Sequence, residues 1–179
     1  HTYYMDVATG APRYGNTQQG YADDSCWSRG QAWGIYGFLL SYIYTGDETM
    51  IALSKRLANY FLNRLPEDYV CHWDLALVGT DALRDSSSAA IAVCGLLELV
   101  KHLPVTDPDR ERYLEWAKGI MSTLTKHYLM GKEEKGNGLL KHSVYHLASN
   151  KGVDECASWG DYFYVEALVR FTQSWKLYW

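Results

Sequence analysis

The chain has 179 residues, a formal net charge of −4 and no apolar run of membrane-spanning length, so it suits one domain with a substantial core and argues against nucleic-acid and membrane partners. Its four cysteines (Cys26, Cys71, Cys94, Cys156) show no CxxC spacing, and no HExxH run is present; buried free thiols in a reducing compartment are expected rather than a metal site. No signal peptide is visible, so a cytoplasmic location is expected, with a periplasmic one as the alternative because the chain opens at His1 rather than Met.

Residues 1–23 read as loop or short strands, punctuated by Gly10, Pro12, Gly15 and Gly20. A long helix is expected over about 25–45, capped by Asp24 or Ser25 and ended by Gly46. Asp47 offers a cap for a second helix over about 48–64, ahead of Pro66. Residues 66–84 are irregular and polar–aromatic. Asp85 or Ser86 caps a third helix reaching about Leu103, and Asp107-Pro108 opens a fourth over about 109–127. Residues 131–157 are glycine-rich and charged, with a short hairpin strand within Leu139 to His146. The last helix begins near Ser158 and runs to about Trp175.

These helices form a repeat. The units opening at Asp24 and Asp85 both begin Asp-Ser, and both carry a glycine before an apolar stretch (GFLLSY from Gly37, GLLELV from Gly95). A third copy opens at Ser158 and is cut off after one helix. Two helices per repeat of roughly 60 residues indicate a toroid of helical hairpins, each unable to bury its apolar face alone. ALSKRLANYFLNRL and RERYLEWAKGIMSTL are ordinary amphipathic outer helices.

The run Gln18 to Phe38, QQGYADDSCWSRGQAWGIYGF, carries the most chemistry. Gly30, Gly34 and Gly37 lie inside the expected helix, where each costs about 1 kcal/mol relative to alanine. At 100° per residue Arg29, Trp33, Tyr36 and Leu40 share one face, and the glycines with Ser41 form a small-residue stripe beside it, suited to close packing. Arg29 one turn from Trp33 reads as the floor of a pocket for a planar or anionic ring, since Arg grips carboxylates with paired hydrogen bonds. The alternative is a structural Arg paired with Asp23 or Asp24. Gln19, in the loop before the helix, can donate and accept at sugar hydroxyls, or simply stabilise its turn. The 15 Tyr and 7 Trp combine a flat apolar face with a polar edge, as sugars require, though an aromatic helical core would use them equally well. Sugar hydrolases generally need two carboxyl groups. Of the acids, Asp24 and Asp85 look like caps, Asp161 suits the first turn of the last helix, and Asp74 in His72-Trp73-Asp74 lies in a loop at the mouth, placed to point into the pocket. The segment HSVYHLASNKGVDE (His142 to Glu155) mixes Tyr145, His146, Ser149 and Lys151, a polar binding loop or a solvated rim.

This run, together with RDSSSAAIAVCGLLEL (Arg84 to Leu99) and SWGDYFYVEAL (Ser158 to Leu168), resembles the unsaturated glucuronyl hydrolases of glycoside hydrolase family 88, in order and spacing, over essentially the whole chain. The related unsaturated rhamnogalacturonyl hydrolases of family 105 usually read RGNGW where this chain reads RGQAW (Arg29 to Trp33). A non-catalytic helical-toroid glycan-binding protein is the other alternative. The resemblance implies an all-α (α/α)6 barrel, of which residues 1–179 are the C-terminal half of a single catalytic domain. It implies hydrolysis that releases 4,5-unsaturated glucuronic acid from glycosaminoglycan-derived disaccharides by hydration of the enol ether, with no metal or organic cofactor. It places substrate contacts at His1 (in H-x-Y-Y-x-D-x-x-T-G), Gln19, Arg29 and Trp33, with contacts to the second sugar from the loop of Tyr145, Ser149 and Lys151. In streptococcal members Ser and Lys here resemble an arrangement favouring sulfated substrates. The family's catalytic aspartates come from the half that precedes His1, so no catalytic residue is expected in this chain. The partners implied are an unsaturated oligosaccharide and that N-terminal half.

Overall fold

Short acidic side chains set most of the helix starts. The computed structural model describes residues 2–177, with five α-helices: α1 (Ser28–Thr45), α2 (Glu48–Leu62), α3 (Ser86–His102), α4 (Pro108–Thr123) and α5 (Ser158–Thr172). Asp47 accepts from the Thr49 amide, Asp85 from those of Ser87 and Ser88, and Asp107 from that of Asp109, so three helices open on a carboxylate that satisfies their free N–H groups. Gly46 ends α1 in the left-handed region at φ 72°, where a Cβ is disfavoured. Past Thr123 the chain winds on as a π turn, Leu124–Tyr128.

The start of α1 departs from expectation. Its N-cap is Trp27 and no side chain caps it, so neither Asp24 nor Ser25 serves. The reason is Asp74, which is fully buried. Its carboxylate accepts from the amides of Tyr21 (2.9 Å), Cys26 (3.2 Å) and Ala76 (3.0 Å) and from Ser25 Oγ (2.7 Å). Residues 21–26 are wound around this acid as turns, and the helix begins only beyond them. Asp74 therefore packs beneath the mouth of the pocket and does not point into it.

Helices α1, α3 and α5 lie side by side as an inner layer, with α2 outside α1 and α4 outside α3. The central helix α3 has no exposed residue from Ser86 to Leu96, as expected for an element covered on all sides. At Gly95 a Cβ would lie 2.8 Å from Ile35 Cγ2 and 3.2 Å from the Tyr36 amide nitrogen, so α1 and α3 meet almost backbone to backbone. The small-residue stripe of α1 serves differently from that contact. Gly34 receives Leu57 of α2, Gly30 lies under the Trp27 ring, and Gly37 faces open space. At the edges of the inner layer Phe38 on α1, and Val165, Leu168 and Phe171 on α5, are exposed. The whole is a mostly helical, partial (α/α)6 barrel.

Two antiparallel hairpins complete it: β1 (Thr2–Met5) with β2 (Pro12–Asn16), and β3 (Ser143–His146) with β4 (Lys151–Glu155). The strand expected within residues 139–146 is only its last part. The Leu139 and Leu140 amides donate instead to Asp161 at the start of α5 (3.0 and 2.8 Å). A one-turn 3-10 helix, Leu147–Ser149, joins β3 to β4. Gly152 lies against Tyr145: at φ 55° a Cβ there would sit 2.9 Å from Tyr145 Cβ, so the hairpin needs glycine at this point.

Candidate functional site

The starts of the three inner helices converge at one end of the array. Ser28 Oγ lies 2.9 Å from the Trp73 carbonyl oxygen and 3.1 Å from Ser88 Oγ, tying α1 to α3. Gly160 of α5 packs on Ser87 of α3 and on Ser143 of β3. The hairpin β3–β4 stands over this junction.

Arg29 is its centre. The residue is 3% exposed. Its Nη1 donates to Asp85 Oδ2 (3.0 Å) and to the Val144 carbonyl (2.7 Å) and lies 3.4 Å from Ser87 Oγ. Its Nη2 donates to the Tyr145 carbonyl (3.0 Å). The guanidinium carbon lies 4.6 Å from the Trp27 ring centroid and 5.1 Å from that of Trp159, both within the range of cation–π attraction. Burial lowers the guanidinium pKa and the Asp85 carboxylate opposes that shift. Of the five N–H bonds of a guanidinium, those on Nη1 and one on Nη2 are engaged by protein groups. The pairing with Asp23 or Asp24 that the sequence suggested is not made: Asp23 accepts from the Thr17 amide (2.9 Å), and the partner of Arg29 is Asp85.

Gln19 reaches the same point from the other side, its Nε2 donating to the Tyr145 carbonyl (2.8 Å). Gln19, Arg29 and Tyr145 are thus brought together. The Tyr145 ring is half exposed and lies 5.5 Å from that of Trp159, whose Nε1–H is buried without a partner among the described residues. Trp33, one turn after Arg29, is held edge-to-face on Phe163 at 5.1 Å and remains 38% exposed. Ser149 and Lys151 flank Asn150 at the far turn of the hairpin. Ser149 is bound to His146 Nδ1 through its amide (3.1 Å) and its hydroxyl (2.8 Å), and Lys151 pairs with His146 across the strands and is exposed. His1 lies outside the described residues. Among those described, no three His, Cys, Asp or Glu side chains converge to hold a metal ion.

No family model matches the chain. Over its full length it is 51% identical to the unsaturated chondroitin disaccharide hydrolase of Streptococcus pneumoniae, and 40% identical to the unsaturated glucuronyl hydrolase of Bacillus sp. strain GL1. Its fold matches the crystal structure of an unsaturated glucuronyl hydrolase from Streptococcus agalactiae at 50% identity with a TM-score of 0.94, covering 100% of this chain and 45% of that one. An Asp-to-Asn variant of the streptococcal enzyme, complexed with dGlcA-GalNAc6S, matches with a TM-score of 0.89, covering 100% of this chain and 48% of that one. The chain belongs to the unsaturated glucuronyl hydrolase family. It spans about half the length of the curated relatives it matches, 46% of the pneumococcal protein and 48% of the Bacillus one.

Within the family frame, three functional features escaped the sequence reading. Asp85 was recognisable as a cap, but its second oxygen faces Arg29. Trp27 and Trp159 enclose the guanidinium. The Val144 and Tyr145 carbonyls are its acceptors. The aromatic pair left a signal, a tryptophan in each of the motifs CWSRG and SWGDY. The carbonyls left none, because backbone acceptors are not written in residue type.

Proposed function

We propose that the whole protein removes 4,5-unsaturated glucuronic acid from the non-reducing end of glycosaminoglycan-derived disaccharides. Residues 1–179 are the C-terminal half of a single (α/α)6-barrel catalytic domain. The preceding half supplies the catalytic aspartates and covers the exposed edges of α1 and α5. An aspartate there protonates C4 of the enol ether, and water adds at C5. The resulting hemiketal opens, and the linkage to the second sugar breaks.

In this reading the present chain binds and orients. Trp33 offers its exposed indole to the flattened ring, and Gln19, His1 and the N–H groups of Arg29 not bound to Asp85 or the hairpin hold polar groups of the unsaturated sugar. Tyr145, Ser149 and Lys151 meet the second sugar, and the Lys151 ammonium favours an anionic, sulfated one. No described helix is long and apolar enough to cross a membrane. A cytoplasmic location, with a periplasmic one as the alternative, belongs to the proposal. The observation that carries the proposal is the likeness, in sequence and fold and over the whole of this chain, to 48% of a hydrolase crystallised with dGlcA-GalNAc6S.

The test is to incubate the whole protein with unsaturated chondroitin disaccharides in ¹⁸O water. Loss of the ultraviolet absorbance of the C4=C5 bond is expected, and in products trapped by borohydride reduction as they form, before carbonyl exchange, the label lies at C5 of the released uronic acid and not at C1 of either sugar. Unchanged absorbance, or label at C1 in the trapped products, overturns it.

A further inference from the structure

Asp85 does two separate things with its two oxygens. Oδ1 caps α3, accepting from the Ser87 and Ser88 amides (3.1 and 3.4 Å) and from Ser87 Oγ (2.6 Å). Oδ2 faces away from the cap and accepts from Arg29 Nη1 (3.0 Å) and Ser88 Oγ (2.7 Å). A helix cap needs only the first oxygen. The second holds a cation in a site where both side chains are almost wholly out of solvent, 4% and 0% exposed.

What Arg29 does with that support is visible in its remaining bonds. It grips two successive carbonyls of β3, Val144 and Tyr145, and Gln19 grips the second from the opposite side. The next residue along, His146, holds Ser149 through its ring and pairs with Lys151 across the hairpin. Hydrogen bonds from one buried carboxylate therefore reach the Val144 and Tyr145 carbonyls, and the backbone of β3 carries the link on through His146 to the side chains at the rim. The base of the hairpin is anchored separately, by Ser86 Oγ to Ser143 Oγ (3.0 Å) and the Ser86 amide to the His142 carbonyl (3.1 Å), whereas farther out Tyr145 and Lys151 are exposed and His146 is only half buried. Remove the charge on Oδ2 and Arg29 remains buried without a counter-ion, a state that drives the side chain to reorient.

We propose that Asp85 is a positioning residue for recognition of the second sugar: through Arg29 it fixes the carbonyls of Val144 and Tyr145, and so sets where the hairpin presents Tyr145, Ser149 and Lys151. This rests on the reading that the hairpin faces that sugar.

Asp85→Asn separates the two roles. Asparagine caps helices as well as aspartate does, so α3 keeps its Oδ1 acceptor, while an NH₂ group replaces the oxygen that receives Arg29. In the whole protein, two measurements are made. The first is kcat and KM for unsaturated chondroitin disaccharides with and without a 6-sulfate. The second is hydrogen exchange along β3–β4 and along α3. The expected result is at least a fivefold fall in the sulfated-to-unsulfated ratio of kcat/KM, carried by KM, with hairpin amides 144–153 exchanging at least tenfold faster and α3 amides unchanged. Asp85→Ser, also a capping residue, stands in if the amide variant fails to fold. An unchanged ratio, unchanged hairpin exchange, or equal loosening of α3 and hairpin overturns the proposal, the last because it marks a role in stability alone. If the wild-type protein turns over neither disaccharide, the functional reading falls, and the exchange measurement still decides whether Asp85 governs the hairpin.

Discussion

Arg170 is the place where a single substitution should reveal most about how the layers are held. It lies near the end of α5, with its side chain 4% exposed. The guanidinium donates to Glu98 Oε2 on α3, to Glu166 Oε1 on its own helix (2.8 Å) and to the Tyr36 hydroxyl on α1. The Glu98 and Glu166 side chains are 0% and 1% exposed. Arg170→Met keeps the length and apolar stem but removes the charge. Glu98 retains Lys101 (3.2 Å) and His102 (3.0 Å), whereas Glu166 keeps the Tyr36 hydroxyl but loses its cation. Stripping one partner from a buried ion pair costs about 3–5 kcal/mol. A chain of this size loses about 2–4 °C of Tm per kcal/mol, and a protein twice as long roughly half that. The whole protein should therefore melt roughly 3–10 °C lower by calorimetry. Glu166→Gln on the Arg170→Met background should cost less than on the wild type, because the two share one interaction. Acid supplies a second check. Burial pushes the Glu98 carboxyl up, but the Arg170 bond and charge, with Lys101, outweigh it and hold the group below the ordinary carboxylate range. A depressed carboxyl contributes stability that is present above its unfolded pKa and is lost as pH falls through the folded value. The gap in Tm between wild type and Arg170→Met should thus narrow below the ordinary carboxylate range. A drop under about 1 °C at neutral pH, strict additivity, or a gap that widens in acid would refute the reasoning.

Two predictions concern the substrate side. Trp33→Ala should lower kcat/KM more than tenfold, at least about 1.4 kcal/mol of transition-state binding, with little change in Tm because the indole is already partly exposed; near-wild-type turnover would return Trp33 to a packing role against Phe163. Lys151→Ala should weaken turnover of a sulfated disaccharide while sparing the unsulfated one, and should reduce the salt sensitivity of the former, since an exposed charge is screened over about 8 Å at physiological ionic strength; an equal change for both substrates would make Lys151 part of the solvated rim.

How far the chain could be read in advance depended on sequence distance. The caps at Asp47, Asp85 and Asp107 and the stop at Gly46 are local devices, and all four stand at positions the residues alone offered, Asp85 as one of two alternatives with Ser86. The start of α1 was misplaced because Asp74, far along the chain, binds Tyr21, Ser25 and Cys26 and holds them out of the helix. The same limit applies to Arg29. Its helical face was legible from a period of 3.6, and that face does look onto α3 and α5. Its counter-ion lies on another helix, and the nearby acids, Asp23 and Asp24, were the wrong candidates for a reason no local pattern contains. The glycine stripe was half legible: Gly34 does admit a neighbouring side chain, but the closest approach of two inner helices is made from Gly95, on the partner.

The two buried arginines have a common consequence for the architecture. Each pins α3 to a neighbouring helix through a carboxylate that α3 or its cap provides: Asp85 to Arg29 of α1 at one end, Glu98 to Arg170 of α5 towards the other. Thirteen residues separate the two acids, about 20 Å along a helix. Between them, apart from Ser28 Oγ to Ser88 Oγ and the weak contact of Cys94 Sγ with the Phe163 carbonyl, the contacts are mostly apolar, and apolar contacts are non-directional. They resist separation of the layers better than they resist sliding along the axis. Charged hydrogen bonds have short, directional geometry, so the pins fix the heights of α1 and α5 against α3. The Asp85 pin also sits where a carboxylate favours the helix dipole. The Glu98 carboxylate lies in the last turns of α3, where the dipole disfavours it, and Lys101, His102 and Arg170 offset that. A slip of α1 by one residue, about 1.5 Å, would stretch the bond from Arg29 to Asp85 at the mouth and move Trp33 along Phe163. The height of the inner helices is therefore part of the site, and the ion pair farthest from the mouth helps to set it.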